Sequence, residues 1–470
     1  MIRSLLVTAM LGVLCAKAPA AEDITVVPRI EGDWWTVAHN PDLGACTSDR
    51  QQPVDFAVWQ AADGVWQLWS CIRFTRLGGH TRLFYRWEGK NLTDHDWEPG
   101  GIAMEADPAL GEPPGGLQAP HVVRWNGLYH MAYGDWDHLC FATSEDGKTF
   151  TRRILANGQT GVFTEGPGQN TRDPVLLITR NRWHLYYTAF PRGKGYVFCR
   201  TSADLHDWSD SMIVAYGGRA GNHPFSCECP HVVETEPGLY HLFRTQMYGE
   251  GAQTSVYQSR NPYNFGIDDD HGFVCTLPVA APEIILHDGQ YYIAALLPSL
   301  QGIQIARLTF LAERAVPVFA FDSPEARAQW RVAEGELPNP FTASIRSNFY
   351  PPMQHFIGTA ELPGESVAHD ELVAVVESPE FIVEHSSYRL AVSGGIDEAR
   401  VYCALVDAET GALLWKTTGN GSNHFGNVRA EWQEFQGKRV RLRVVDQSTA
   451  AWGHINFGGL YAMLPIDKKP

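Results

Sequence analysis

Ala119-Pro120-His121-Val122-Val123, followed by Gly127-Leu128-Tyr129-His130, is matched almost letter for letter by Cys229-Pro230-His231-Val232-Val233, followed by Gly238-Leu239-Tyr240-His241. Each copy reads as a short β-branched strand, a glycine turn and an aromatic-rich strand, the pattern of a hairpin. Weaker copies flank the pair. They are Asp55-Phe56-Ala57-Val58-Trp59 with Gly64-Val65-Trp66-Gln67-Leu68-Trp69, Asp173-Pro174-Val175-Leu176-Leu177 with Trp183-His184-Leu185-Tyr186-Tyr187, and Ala281-Pro282-Glu283-Ile284-Ile285 with Gly289-Gln290-Tyr291-Tyr292. The five copies begin at 55, 119, 173, 229 and 281. Segments between them, such as 141–147 and 201–208, supply further strands ending in polar turns. Units of roughly 50 residues with three or four strands are what propeller blades require. The proline after most starting positions fits, because a first strand residue need not donate to the ladder.

The expectation is therefore an all-β chain with a five-bladed β-propeller over residues 21–320. Beyond Phe321 the repeat stops. Alternating strands at Tyr388–Val392, Val401–Val406 and Val440–Val445, with turns at Gly394-Gly395 and Gly419-Asn420-Gly421, predict a β-sandwich over 321–470.

The chain has 470 residues, 44% of them hydrophobic, enough for two such cores. Arg3, the apolar run Leu5–Cys15 and Ala18-Pro19-Ala20 read as a signal peptide over 1–20. Export to the periplasm or medium follows as an expectation. No later stretch is long and apolar enough to span a membrane. The formal charge of −16 argues against nucleic acid and anionic membranes as partners and leaves carbohydrate open. Besides Cys15 there are eight cysteines, at 46, 71, 140, 199, 227, 229, 275 and 403. Their spacing matches no metal motif and leaves disulfide pairing open.

In a propeller the innermost strand of each blade starts at the central channel. Asp55, Ala119, Asp173, Cys229 and Ala281 then become equivalent, and Glu228 precedes its slot. Converging carboxylates suit glycosidic cleavage, which sets a nucleophile or base against an acid. They also suit solvated channel acids or a structural Ca²⁺. No residue spacing indicates the ion, and no cofactor or metal is expected.

Arg172-Asp173-Pro174 and Glu228-Cys229-Pro230, in that order after an early aspartate, resemble the Arg-Asp-Pro and Glu-Cys motifs of glycoside hydrolase family 32, and the chain resembles families 32 and 43 together. These are the furanosidase propellers that include invertases, levanases and arabinanases. The resemblance implies Asp55 as nucleophile or base, Glu228 as acid/base and Asp173 as transition-state stabiliser. It favours β-fructosidic over α-L-arabinofuranosidic substrates. The first motif departs from family 32, with Pro53-Val54-Asp55-Phe56-Ala57 in place of Asn-Asp-Pro-Asn-Gly. A non-catalytic glycan-binding propeller, or an enzyme of the same fold with different glycan chemistry, is the alternative.

Arg172 is expected to bind substrate or hold Asp173. His121 and His231, two positions after their slots, and Glu283 in the fifth copy are expected to point the same way as the acids. Trp69, Arg73, Trp136 and Arg244 lie on the second strands or the loops after them, with Trp136 the candidate for stacking on a sugar. Residues 321–470 resemble the sandwich module of exported levanases in Ser378-Pro379-Glu380-Phe381-Ile382 and Trp452-Gly453-His454-Ile455-Asn456. Trp452 is expected to be buried and Asn456 hydrogen-bonded.

Overall fold

Every inner strand anticipated from the repeat begins a hairpin in the computed structural model, which describes residues 24–338, 340–343 and 353–466. The signal-peptide reading of 1–20 falls outside the described residues. Strand β1 (Ile24–His39) comes first. Blade one is β2 (Gln52–Gln60), β3 (Trp66–Arg73), β4 (Leu83–Gly89) and β5 (Glu98–Met104). Blade two is β6 (Gln118–Trp125), β7 (Leu128–Gly134), β8 (Leu139–Ser144) and β9 (Thr151–Arg152). Blade three is β10 (Arg172–Thr179), β11 (Arg182–Ala189), β12 (Tyr196–Ser202) and β13 (Met212–Ala215). Blade four is β14 (Glu228–Glu236), β15 (Leu239–Met247), β16 (Gln253–Ser259) and β17 (Phe273–Leu277).

The fifth blade begins with β18 (Glu283–His287), β19 (Gln290–Leu296) and β20 (Gly302–Phe319). Its outer strand is β1, antiparallel to β20 from Ile24↔Arg314 to His39↔Gly302. The inner strands β2, β6, β10, β14 and β18 adjoin one another in that order, and β18 returns to β2. The ring is closed by hydrogen bonds between the two ends of the propeller sequence, which removes an open edge.

Strand β20 also crosses the junction expected at 320/321. Its end, Glu313 to Phe319, pairs with the last strand of the chain, Ile455–Pro465. The C-terminal part forms two facing sheets. One contains Ser387–Gly394, Ser422–Glu431 and Ile455–Pro465; the other contains Ala374–Glu377, Val401–Asp407, Leu413–Thr417 and Arg439–Asp446. Leu390, Val392, Leu405, Trp432, Leu442 and Phe457 fill the space between them. Asn456 is buried and donates to Ser393 Oγ at 3.1 Å. Trp452 corrects the sequence expectation: it is 47% exposed, in a left-handed turn (φ 61°) where its side chain points outward.

The two parts are pinned by a buried ion pair, Arg429 to Glu313 at 2.7 and 3.0 Å, and by Asn420 Nδ2 donating to Asp270 Oδ2 at 3.2 Å. The eight cysteines at 46, 71, 140, 199, 227, 229, 275 and 403 are all free thiols.

Candidate active site

The five slots that the repeat makes equivalent share one unusual backbone state. Asp55, Ala119, Asp173, Cys229 and Ala281 have φ of 40°, 42°, 54°, 43° and 49°. Left-handed φ is tolerated by Asp but strained for Ala and Cys. In the first four blades the pairing register also slips beside the slot, at Val54/Phe56, Gln118/His121, Arg172/Val175 and Glu228/His231. Each of these four inner strands thus starts with a bulge, the device that re-aims a side chain.

The bulge separates two layers. All five slot residues line one narrow cavity on the channel axis, about 20 Å³, room for little more than one water. The residues just before the slots in blades two to four, Gln118, Arg172 and Glu228, line a wider cavity of about 520 Å³. Asp55 reaches both. The rest of the wide cavity comes from the ends of second strands and the loops after them (Arg73, Trp136, Phe190 and Tyr248), from Asn170 and Phe225 just before the third and fourth inner strands, and from Arg82.

The acids are tied together. Arg172 donates to both carboxylate oxygens of Glu228, with Nε to Oε2 at 3.4 Å, while its Nε lies 3.7 Å from Asp173 Oδ2. Its Nη1 donates to the Asn170 carbonyl at 2.9 Å, and Phe190 lies under the guanidinium. Asp173 Oδ2 accepts the Cys229 N–H at 2.9 Å, and Cys229 Sγ lies 3.1 Å from Asp55 Oδ1 and 3.2 Å from the Tyr248 hydroxyl. Arg82 Nη1 is 3.8 Å from Asp55 Oδ2. Asp173 is the deepest of the three acids, 3% exposed. Burial first, then the charges of Glu228 and Asp55, push its carboxyl up to about 8 against the pull of Arg172. At neutral pH Asp173 is protonated in its majority form, the separation of roles that paired carboxylates use. Burial also pushes the Cys229 thiol well up, so the sulfur between Asp55 and Asp173 is a neutral S–H rather than a thiolate.

Trp136 sits at φ 96° in a turn held by Asp135, whose Oδ1 accepts the N–H groups of Asp137 (2.9 Å) and His138 (2.6 Å). Its ring stacks on His80 with centroids 3.9 Å apart, and the Arg82 guanidinium lies 5.1 Å from a ring centre.

Four sequence-predicted residues lie elsewhere, and a fifth, Glu283, joins the narrow ring from below. Trp69 is 2% exposed and packs on Trp59 and Phe150 inside blade one. Arg244 is buried and donates to the carbonyls of Ser226, Gly217 and Gly221, so it holds a loop. His121 and His231 do face the channel, but two residues of strand advance them by roughly 6–7 Å past the narrow ring, whereas Glu283 lines the narrow ring as well as the space beyond it. All three line a cavity of about 380 Å³ together with strand residues such as Trp59 and Ile285, and Glu283 stands between it and the narrow ring.

Their three ligand-type atoms lie within 4.8 Å of one another. The hydrogen bonds nevertheless set the tautomers against a metal. His121 Nδ1 accepts the Leu176 N–H at 3.2 Å, and His231 Nε2 accepts that of Ile284 at 3.4 Å. The remaining nitrogens therefore carry the protons in the neutral rings, the reverse of a ligating histidine. His231 Nδ1 instead faces Glu283 Oε2 at 3.5 Å. Burial pushes His121 down to about 3, keeping it neutral.

A third large cavity, about 560 Å³, lies between propeller and sandwich, lined by residues including Val27, Trp34, Leu277 and Arg429. Glu431, the acid among its lining residues, is spent on Arg429 at 2.7 Å, so among the described residues the cavity offers no pair of facing carboxylates.

Arg82, Gln118, Asn170, Phe190, Phe225 and Tyr248 line the site without having been singled out from the sequence. Gln118 stands one place before its slot, as Arg172 and Glu228 do. Phe190 and Tyr248 follow second strands, as Trp136 does. Arg82 belongs to no repeat position.

Fold and site together define a closed five-bladed propeller with an acid-bearing cavity at one mouth. No protein-family profile and no curated protein sequence matches the chain. Solved structures similar to it include the family 32 β-fructofuranosidase of Bombyx mori, 13% identical with TM-score 0.40, covering 93% of this chain and 95% of that one. The exo-β-1,3-galactanase of Phanerochaete chrysosporium is 10% identical with TM-score 0.38, over 93% and 99% of the two chains. The catalytic domain of the family 62 α-L-arabinofuranosidase of Coprinopsis cinerea is 12% identical with TM-score 0.41, over 59% and 96%.

Proposed function

We propose that the chain is an exported glycoside hydrolase that cleaves furanosidic linkages, β-fructosidic ones before α-L-arabinofuranosidic ones. The observation that carries the reading is that Asp55 and Glu228 face into one cavity of about 520 Å³, with Asp173 3.7 Å from the arginine that Glu228 pairs with. Glu228 gives the leaving oxygen the proton that it shares with Asp173 through their linked ionisation. Asp55 attacks the anomeric carbon or activates water on the opposite face. Asp173, beneath the cavity in the narrow ring, holds a proton at rest and stabilises the transition state through Glu228 and Asp55 without touching the sugar. Arg172 positions Glu228 and Asp173. The order of linkages rests on the Arg172-Asp173-Pro174 and Glu228-Cys229-Pro230 motifs.

Release of reducing sugar from levan, inulin, sucrose and arabinan tests the reading. Asp55→Asn and Glu228→Gln are each expected to lower kcat by about 10²–10⁴-fold. Turnover undiminished in both variants would overturn the assignment of roles, and binding without turnover across the panel would overturn the enzymatic reading.

A further inference from the structure

The wide cavity holds more positive charge than its acids use. Arg73, Arg82 and Arg172 line it, against Asp55 and Glu228, while Asp173 lies beneath in the narrow ring. Arg172 is committed to Glu228 and Asp173. Arg73 spends Nε and Nη2 on Gln52 Oε1, at 3.0 and 2.7 Å, and among the described residues no carboxylate pairs with it. Arg82 is the most under-used. Its side chain is 16% exposed, its one side-chain hydrogen bond among the described residues is a long one to Cys71 Sγ at 3.9 Å, and its ion pair to Asp55 spans 3.8 Å. A guanidinium carries five donors in a fixed fork that matches an oxyanion, and a nearly buried one with unspent donors is costly unless a ligand accepts them.

The rest of the Arg82 environment fixes that fork. The indole of Trp136, held in its strained turn and backed by His80, lies beside the guanidinium. The backbone of Arg82 is bridged to Gly116. When one of the two carboxylates of the proposed reaction carries its proton, as glycosidic cleavage requires, the imbalance grows by a further charge. This excess sits inside a chain of net charge −16, so the cavity is a local positive site in a negative field.

We propose that the saccharide bound here is anionic, with a carboxylate or sulfate group on the ring that occupies the cavity or on its neighbour, received by Arg82 and Arg73. This rests on the glycosidase reading alone, not on the order of linkages, and names the charge of its substrate. Arg82 is then the specificity-determining residue, and Arg73 assists it.

Binding of matched monosaccharide pairs tests the inference without any need for turnover. Glucuronic acid against glucose probes the carboxylate source, and galactose 6-sulfate against galactose the sulfate source, by titration calorimetry on the full chain at low and high salt. The anionic member of at least one pair is expected to bind about 10-fold or more tightly, with a preference that shrinks in high salt. Arg82→Gln is expected to bring the ratio of anionic to neutral affinity to about one, whatever it does to either affinity alone, and Arg82→Lys to restore only part of the ratio. Because the readout is a ratio between two ligands on one sample, partial misfolding of a variant does not imitate the result. Equal affinity within both pairs, or a preference that survives Arg82→Gln, overturns the proposal. An anion preference in a chain that hydrolyses no glycan would refute the glycosidase reading and leave the anion site standing.

Discussion

Replacing Asp173 by Asn tests the electrostatic reading of the site through stability alone. Asparagine accepts the left-handed φ of 54° as readily as aspartate does and can still receive the Cys229 N–H. The difference lies in ionisation. The folded chain raises this carboxyl from an ordinary 3.8 to about 8, and Asp173 Oδ1 is buried without a hydrogen-bond partner among the described residues. A raised acid binds its proton more tightly folded than unfolded. Its contribution to stability is whole below about pH 4 and is lost as pH rises towards 8. At pH 7 the handicap of the wild type has a ceiling of about 4 kcal/mol, roughly three pH units at 1.36 kcal/mol each. Movement of Arg172 and water towards the charge brings the expected difference to about 1–3 kcal/mol. The Asp173→Asn variant carries no such handicap. Thermal unfolding of both proteins from about pH 4.5 to 8.5 should show the variant gaining on the wild type as pH rises, by a few °C at about pH 7–8. A difference that does not change with pH, or a variant that falls further behind at high pH, would refute the protonated assignment.

Other outcomes follow from contacts described above. Arg429→Ala leaves Glu313, 4% exposed, with Arg29 at 3.6 Å as its remaining partner, and should cost somewhat less in urea unfolding than the roughly 3–5 kcal/mol of a buried charge left wholly unpaired. Trp69→Ala should cost about 3–5 kcal/mol through the void it leaves between Trp59 and Phe150. Trp136→Ala should change thermal stability far less and raise KM for a cleaved glycan, because its ring lines the cavity and flanks Arg82. Deleting residues 24–39 removes the outer strand of blade five and exposes the edge of β20, so size-exclusion chromatography should show association or aggregation.

The blade starts were legible because the channel makes the same demand at each: a bulged or left-handed residue, followed in four of the five by proline. That demand wrote Asp55, Ala119, Asp173, Cys229 and Ala281 into recognisable surroundings. The bulge itself was not legible, since Ala and Cys at positive φ carry no composition signal. Alternation placed His121 and His231 on the correct face of their strands but said nothing of depth along the channel. The fate of Trp69 and Arg244 depended on neighbours from other segments, Phe150 for one and the Gly217 and Gly221 carbonyls for the other. Strand β1 shares no text with the repeat, because an outer strand touches no channel. Its partner lies at the far end of the propeller sequence and is set by ring geometry rather than local pattern.

That pairing has a consequence for how the chain acquires its shape. Blades one to four are each built from consecutive hairpins and can form as their residues emerge. The ring cannot, because Ile24 waits for Arg314. Bringing such distant segments together is slow relative to forming a hairpin. The same strand that receives Ile24 then offers its far end to Ile455–Pro465. Completion of the cavity and docking of the C-terminal sheets are therefore late events that share one template, and damage near Glu313 should hinder both together.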